Sequence, residues 1–212
     1  MLILYFFVGL LLAAVGGAFP GASNIAVVST ALNGKPQQGK QIAFGAGLGE
    51  ITLAFLALYY SMMVTDFFAM NPWVKIAFVF VFFAVGGIFL VKHRLPKKER
   101  ENSKSASVME RLIKGYALAA LNPPVLLFWL VAIALVHNNY FELSAMLGLP
   151  ELFLFFAGVF LGKVAILLVY GSTGKRLANS KKESSGNKGM NRAIGLALIS
   201  IAIIQGIRLW VI

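Results

Sequence analysis

The chain reads as an all-α integral membrane protein: six transmembrane helices in two inverted three-helix repeats, the first and fourth helices broken by proline. Three observations predict this. Of the 212 residues, 59% are hydrophobic and only 13% charged, where a soluble domain carries about 25% charged residues. Several apolar runs reach the roughly 20 residues that a helix needs to cross a bilayer. Two helix breakers, Gly16-Gly17-Ala18-Phe19-Pro20-Gly21-Ala22-Ser23-Asn24 and Leu121-Asn122-Pro123-Pro124, interrupt apolar spans at corresponding places in the two halves. Lipid offers no hydrogen-bond partner, so broken backbone at membrane depth is tolerated only where it is buried in protein or lines a cavity. A matched pair of such breaks points to a transport site.

Taken in order, the first apolar segment covers residues 2–32. As one helix it would be about 46 Å long, more than the hydrocarbon core needs, and a break at Pro20-Gly21 resolves the excess. Its start lacks the basic n-region of a signal peptide, and the apolar run continues past the small-residue cleavage site, so it is read as a retained helix. Asn33-Gly34-Lys35-Pro36 makes a turn. The second helix is expected over 41–64, a short loop over 66–72, and the third helix over 73–91. A basic segment, 92–114, follows. Within it Ser107-Val108-Met109-Glu110 has the capping-box pattern that starts a helix. This fourth helix continues through the second break to Val136. The fifth spans 151–170, and a Lys-, Ser- and Gly-rich loop over 171–192 leads to the sixth, 193–212. The organisation is one membrane domain, 1–212, with 1–91 as repeat one, 92–106 as a basic cytoplasmic linker and 107–212 as the inverted repeat two.

Charge gives the orientation. Every Lys and Arg except Lys75, Lys163 and Arg208 lies in or beside the loops joining helices one to two, three to four and five to six. The positive-inside rule puts these loops in the cytoplasm and both termini outside, with Tyr59, Tyr60, Trp73 and Trp210 as an outer aromatic belt. The net charge of +11 thus reflects loop asymmetry, and nucleic acid is not expected as a partner. The chain has no cysteine, which excludes disulfides, thiolate metal sites and dithiol redox chemistry. His93 and His137 fall in connecting segments, so no metal and no cofactor is expected. Gly174-Lys175 is not a phosphate loop, because Arg176 stands where Ser or Thr is required.

The halves resemble each other internally. Gly45-Ala46-Gly47-Leu48-Gly49-Glu50-Ile51 and Gly158-Val159-Phe160-Leu161-Gly162-Lys163-Val164 share two glycines, a charge and a β-branched residue at the same spacing. Each follows a proline-broken helix, and each precedes a helix with a Gly-Ile step, Gly87-Ile88 and Gly206-Ile207. Three helices per half make the repeat inverted. Gly45/Gly49 and Gly158/Gly162 permit close helix approach, within the bundle or between two copies in a homodimer.

The candidate substrate-binding residues are Pro20, Gly21, Ser23, Asn24, Glu50, Asn122, Pro123, Pro124 and Lys163. Pro20 frees the carbonyl of Gly16, and Pro123 and Pro124 free those of Ala119 and Ala120. The half-helices after each break are expected to expose N–H groups and a positive dipole end. N–H groups suit a carboxylate and freed carbonyls an ammonium, which together would receive the zwitterionic end of an amino acid. Without a ligand, the same breaks would be kinks satisfied by neighbouring helices and by Ser or Asn side chains. Glu50 and Lys163 lie deep in their spans, where ionisable residues are costly and face a partner or a cavity. Either Glu50 couples transport by binding a cation or a proton, with Lys163 as alternating partner or carboxylate anchor, or the two form a static pair. Arg208 is read as snorkelling to the outer interface.

These landmarks resemble the LysE/RhtB-type amino-acid exporters. The resemblance rests on Phe19-Pro20-Gly21-Ala22-Ser23-Asn24, the Gly45 to Gly49 stretch, the basic Lys92 to Arg100 stretch, Asn122-Pro123-Pro124 and Asn191 to Gly195, and covers nearly the whole chain. It departs from the family at Ala22, where Pro-Gly-Pro is usual, and at Pro124, where a basic or small residue follows Asn-Pro. The resemblance implies proton-driven efflux of amino acids or related small metabolites across a bacterial inner membrane. Other readings stay open: a metal-ion or other small-solute transporter on the same fold, a membrane enzyme acting on a lipid-linked substrate, which would need a converging acid–base or metal cluster, and a non-transporting assembly subunit.

Overall fold

A computed structural model describes residues 2–18, 21–70 and 106–179, with Trp73, Phe80, Gly87 and Ile203 as single helical positions. Among these, the regular elements are six α-helices: α1 (Leu2–Ala18), α2 (Ala22–Leu32), α3 (Pro36–Met70), α4 (Val108–Ala120), α5 (Pro123–Asn139) and α6 (Leu149–Asn179). Helices α3 and α6 are long and apolar enough to cross a membrane over Pro36–Tyr60 and Leu149–Gly174. The α1–α2 pair, bent by 71°, and the α4–α5 pair, bent by 59°, qualify as two further spans if each is counted as one. Pro20, the linker over 92–105, and the expected third and sixth helices beyond the four single positions lie outside the described residues.

Local chemistry explains where the helices depart from the sequence-based limits. Pro36 opens α3 because proline at the first helical position gives up only an N–H that has no intrahelical partner. The same helix continues through 66–70, expected as loop, since no breaker occurs before Asn71-Pro72. Helix α6 runs past Tyr170 to Asn179, and within it the Ser172 and Thr173 hydroxyls donate to the Val169 carbonyl at 2.8 and 3.0 Å. Helix α4 starts as expected: the Ser107 hydroxyl accepts the Glu110 N–H at 3.1 Å, and the Glu110 carboxylate accepts the Ser107 N–H at 2.8 Å. Gly34 turns the chain between α2 and α3 with a positive φ of 78°.

The chain divides into two compact units, residues 1–62 with 96–181 and residues 63–95 with 182–212. The first contains α1, α2, most of α3, and α4 to α6. Glycines set its closest helix contacts. A methyl group at Gly45 would collide with the Leu112 carbonyl, at Gly49 with those of Tyr116 and the Ala119 side chain, and at Gly115 with the Ile42 carbonyl. On the other side, a methyl at Gly158 would collide with the Phe6 carbonyl, at Gly162 with that of Leu10 and the Ala13 side chain, and at Gly9 with the Phe155 carbonyl. The two sets have the same spacing: Ile42, Gly45 and Gly49 correspond to Phe155, Gly158 and Gly162, and Phe6, Gly9, Leu10 and Ala13 to Leu112, Gly115, Tyr116 and Ala119. Thus α1 rides on the glycines of α6, and α4 on those of α3. Backbone-to-backbone approach of this kind is what replaces the hydrophobic effect as a packing force in lipid.

Two apolar clusters fill this unit. One gathers Ala13, Leu53, Ala57, Trp129, Ile133, Leu143, Phe155 and Val159 among others. The second gathers Val27, Ile42, Ala43, Ala46, Ala119 and Leu167. Along α3, Glu50 falls between Ala46 of the second cluster and Leu53 of the first; along α6, Lys163 falls between Val159 and Leu167. The two charges therefore form a polar layer between two apolar ones.

Candidate functional site

In that layer Lys163 Nζ lies 3.0 Å from Glu50 Oε2, with the two side chains 2% and 0% exposed. The other carboxylate oxygen, Oε1, accepts a hydrogen bond of 3.0 Å from the indole N–H of Trp129 on α5. Removing a carboxylate and an ammonium from water costs several kcal/mol each, by order of magnitude, and is repaid only when they meet each other and further hydrogen bonds. Three helices contribute to meeting that condition here.

The first break lies against this layer. The aliphatic stem of Lys163 passes Gly17, where a methyl group would come within 3.3 Å of Lys163 Cδ and 2.6 Å of Ile166 Cγ2. Beyond Gly17 the last carbonyls of α1 lose their helical partners, and side chains replace them. The Asn24 amide donates to the Gly17 carbonyl at 2.7 Å, and the Tyr170 hydroxyl donates to the Ala18 carbonyl at 2.6 Å. Ser23 donates to Asn24 Oδ1 at 3.3 Å, and both Ser23 and Asn24 are buried. Helix α2 begins at Gly21, which provides no side-chain cap. The Ile25 N–H donates to the Gly21 carbonyl at 3.1 Å, and among the described residues no side chain caps the amides of Ala22, Ser23 and Asn24, which form the first turn at the positive end of the helix dipole.

The second break is different, and it corrects one expectation. The half-helix after Pro124 does not expose an array of N–H groups. Pro123 and Pro124 occupy its first two positions and have none to offer. The next two amides, of Val125 and Leu126, both donate to the Asn122 carbonyl at 3.1 Å. The Asn122 side chain makes no capping bond, and Pro123 and Pro124 are exposed. Of the candidate residues, the structure thus brings Glu50 and Lys163 together, with Ser23 and Asn24 around the Gly17 carbonyl next to the lysine stem. Gly21 caps α2, and Asn122, Pro123 and Pro124 mark the start of α5. Pro20 lies outside the described residues.

Trp129, Tyr170 and Gly17 were not singled out from sequence. Trp129 had a usable signal: a buried indole N–H needs an acceptor, and Glu50 is the one acid deep in an apolar span. Tyr170 had none, because its partner is a backbone carbonyl freed on a distant helix.

The sequence model of the LysE type translocator family matches residues 6–207. The chain belongs to that family. No curated protein and no solved structure matches it. As a LysE type translocator the chain is a multi-pass membrane transporter of small solutes, and transport is the activity to which its buried charges are to be related.

Proposed function

We propose that this LysE type translocator exports amino acids or related zwitterionic metabolites across a bacterial inner membrane, coupled to the proton gradient. In this reading the chain is two inverted three-helix repeats, with its basic loops in the cytoplasm and both termini outside. The equally spaced glycine contacts of α1 on α6 and α4 on α3 support the repeat. The retention of Lys and Arg in alternate loops supports the orientation.

The observation that carries the reading is the buried Glu50–Lys163 pair lying beside the first break. A ligand that satisfies both charges opens a neutral pair in an apolar layer without orphaning either one, which would be strongly destabilising. An amino acid does so: its ammonium takes the place of Lys163 on Glu50, and its carboxylate meets the released lysine or the uncapped first turn of α2. A proton on Glu50 releases Lys163 by the other route, which makes the same carboxylate the coupling residue. Substrate and proton then compete for one group, the simplest way to exchange one for the other.

Counterflow uptake of labelled amino acids into proteoliposomes, with and without a pH gradient, tests this. The wild type is expected to move at least one amino acid in a gradient-dependent manner, and Glu50→Gln to abolish the gradient dependence. Gradient-driven transport that persists in Glu50→Gln would reduce the pair to a structural lock. A folded wild-type protein that moves no amino acid would send the substrate assignment back to other small solutes.

A further inference from the structure

The two oxygens of Glu50 are not equivalent. Oε1 is held by the Trp129 N–H at 3.0 Å. Oε2 lies 3.0 Å from Lys163 Nζ, yet among the described residues it has no aligned hydrogen-bond donor. One contact is directional and the other is purely ionic. Trp129 is itself fixed: it is fully buried in the apolar cluster, with edge-to-face contacts to Phe128 and Phe155 at centroid distances of 5.8 and 6.1 Å. Lys163, by contrast, is an unbranched chain with several rotatable bonds, and its stem packs against Gly17.

Resting on the exchange reading above, we propose that Trp129 is the positioning residue of the transport site: it holds Glu50 by Oε1 while Lys163 leaves, so that exchange takes place at Oε2 alone. Without this hold, a carboxylate released by Lys163 would be free to rotate about its side-chain bonds, and the incoming ammonium would bear the cost of ordering it again. The hold matters most in the exchanged state, because in the resting state Lys163 also restrains Glu50. Trp129 thus acts on substrate affinity more than on turnover.

The spectroscopic test needs no substrate. The chain has three tryptophans, and Trp73→Phe with Trp210→Phe leaves Trp129 as the sole reporter. Ultraviolet resonance Raman then reads whether its indole N–H is bonded. In this background Lys163→Met is expected to leave the N–H bonded, and Glu50→Ala to release it. Release by Lys163→Met, or a bonded N–H in Glu50→Ala, would overturn the proposal. This arm stands even if the wild type transports no amino acid. The transport test uses Trp129→Phe, which keeps an aromatic ring and removes the donor. KM is expected to rise about 10-fold with kcat within about threefold of wild type. A fall in kcat at unchanged KM, or wild-type values for both, would mean that Trp129 only packs.

Discussion

At the first break the polar residues turn inward: Ser23 and Asn24 are 1% exposed, and Asn24 and Tyr170 fill the carbonyls that α1 leaves open. The second is more open: Leu121 is 81% exposed, Asn122 is only half-buried and caps nothing with its side chain, and two exposed prolines begin α5. Both stretches have the same signature in sequence, a proline beside glycine or asparagine in an apolar span. What separates them is which atoms remain after the break. A helix start without proline keeps its first amides, with no side-chain cap among the described residues; a start made of two prolines has none in those positions. In the proposed reading the first break is the one that binds, whereas the second bends the chain by 59° into α5, the helix that delivers Trp129 to Glu50. Substitutions at the two places should separate these roles.

The largest effect is expected where the first break meets the charge layer. Lys163→Met leaves Glu50 buried without a counter-charge and should cost about 3–5 kcal/mol of stability, read as a lowered thermal midpoint in detergent. Adding Glu50→Gln removes the orphaned charge and should recover most of the loss. If the double variant were no more stable than Lys163→Met, the lysine would be contributing packing rather than charge.

The sequence made the helical class, the capping box at Ser107 and the burial of Glu50 and Lys163 legible, because each rests on composition or on residues close in the chain. The pairing of those two charges was open from sequence, since it depends on how α3 and α6 meet, where Gly47 packs against the Phe160 and Val164 side chains far along the chain. The expected N–H groups after Pro124 are missing for a local reason: Pro123 and Pro124, which free carbonyls of α4, have no N–H of their own. The extension of α6 beyond Tyr170 failed because Gly171-Ser172-Thr173-Gly174 reads as loop by composition, while its hydroxyls bond back to the helix.

An intermediate effect is expected at Gly17. A methyl group there would press on Ile166 and on the Lys163 stem, and overpacking of this kind costs about 1–3 kcal/mol. Gly17→Ala should lower both the thermal midpoint and transport. Normal transport together with a lowered midpoint would separate the break from the ion pair and undo their functional connection.

The two asparagines provide a matched comparison. Asn24→Ala strands the buried Gly17 carbonyl and should cost about 1–3 kcal/mol, as should Tyr170→Phe for the Ala18 carbonyl. Asn122→Ala removes a side chain that caps nothing and should change stability by no more than about 0.5 kcal/mol. Equal losses at Asn24 and Asn122 would mean that the two breaks are held in the same way after all.

The smallest effect is expected at Pro124. Pro124→Ala returns an N–H to the second position of α5, in an exposed first turn where a helix amide has no intrahelical partner in any case. The first turn of a helix tolerates proline and alanine alike, so the thermal midpoint should shift by no more than about 0.5 kcal/mol equivalent. The new amide also gives the second break the one group it lacks for binding an anion, next to a positive helix end. If transport selectivity stays at wild type in Pro124→Ala, the site is confined to the first break and the charge layer. If the variant gains affinity for substrates with an extra carboxylate, the second break is close enough to the pathway for its two prolines to act as a barrier to that charge.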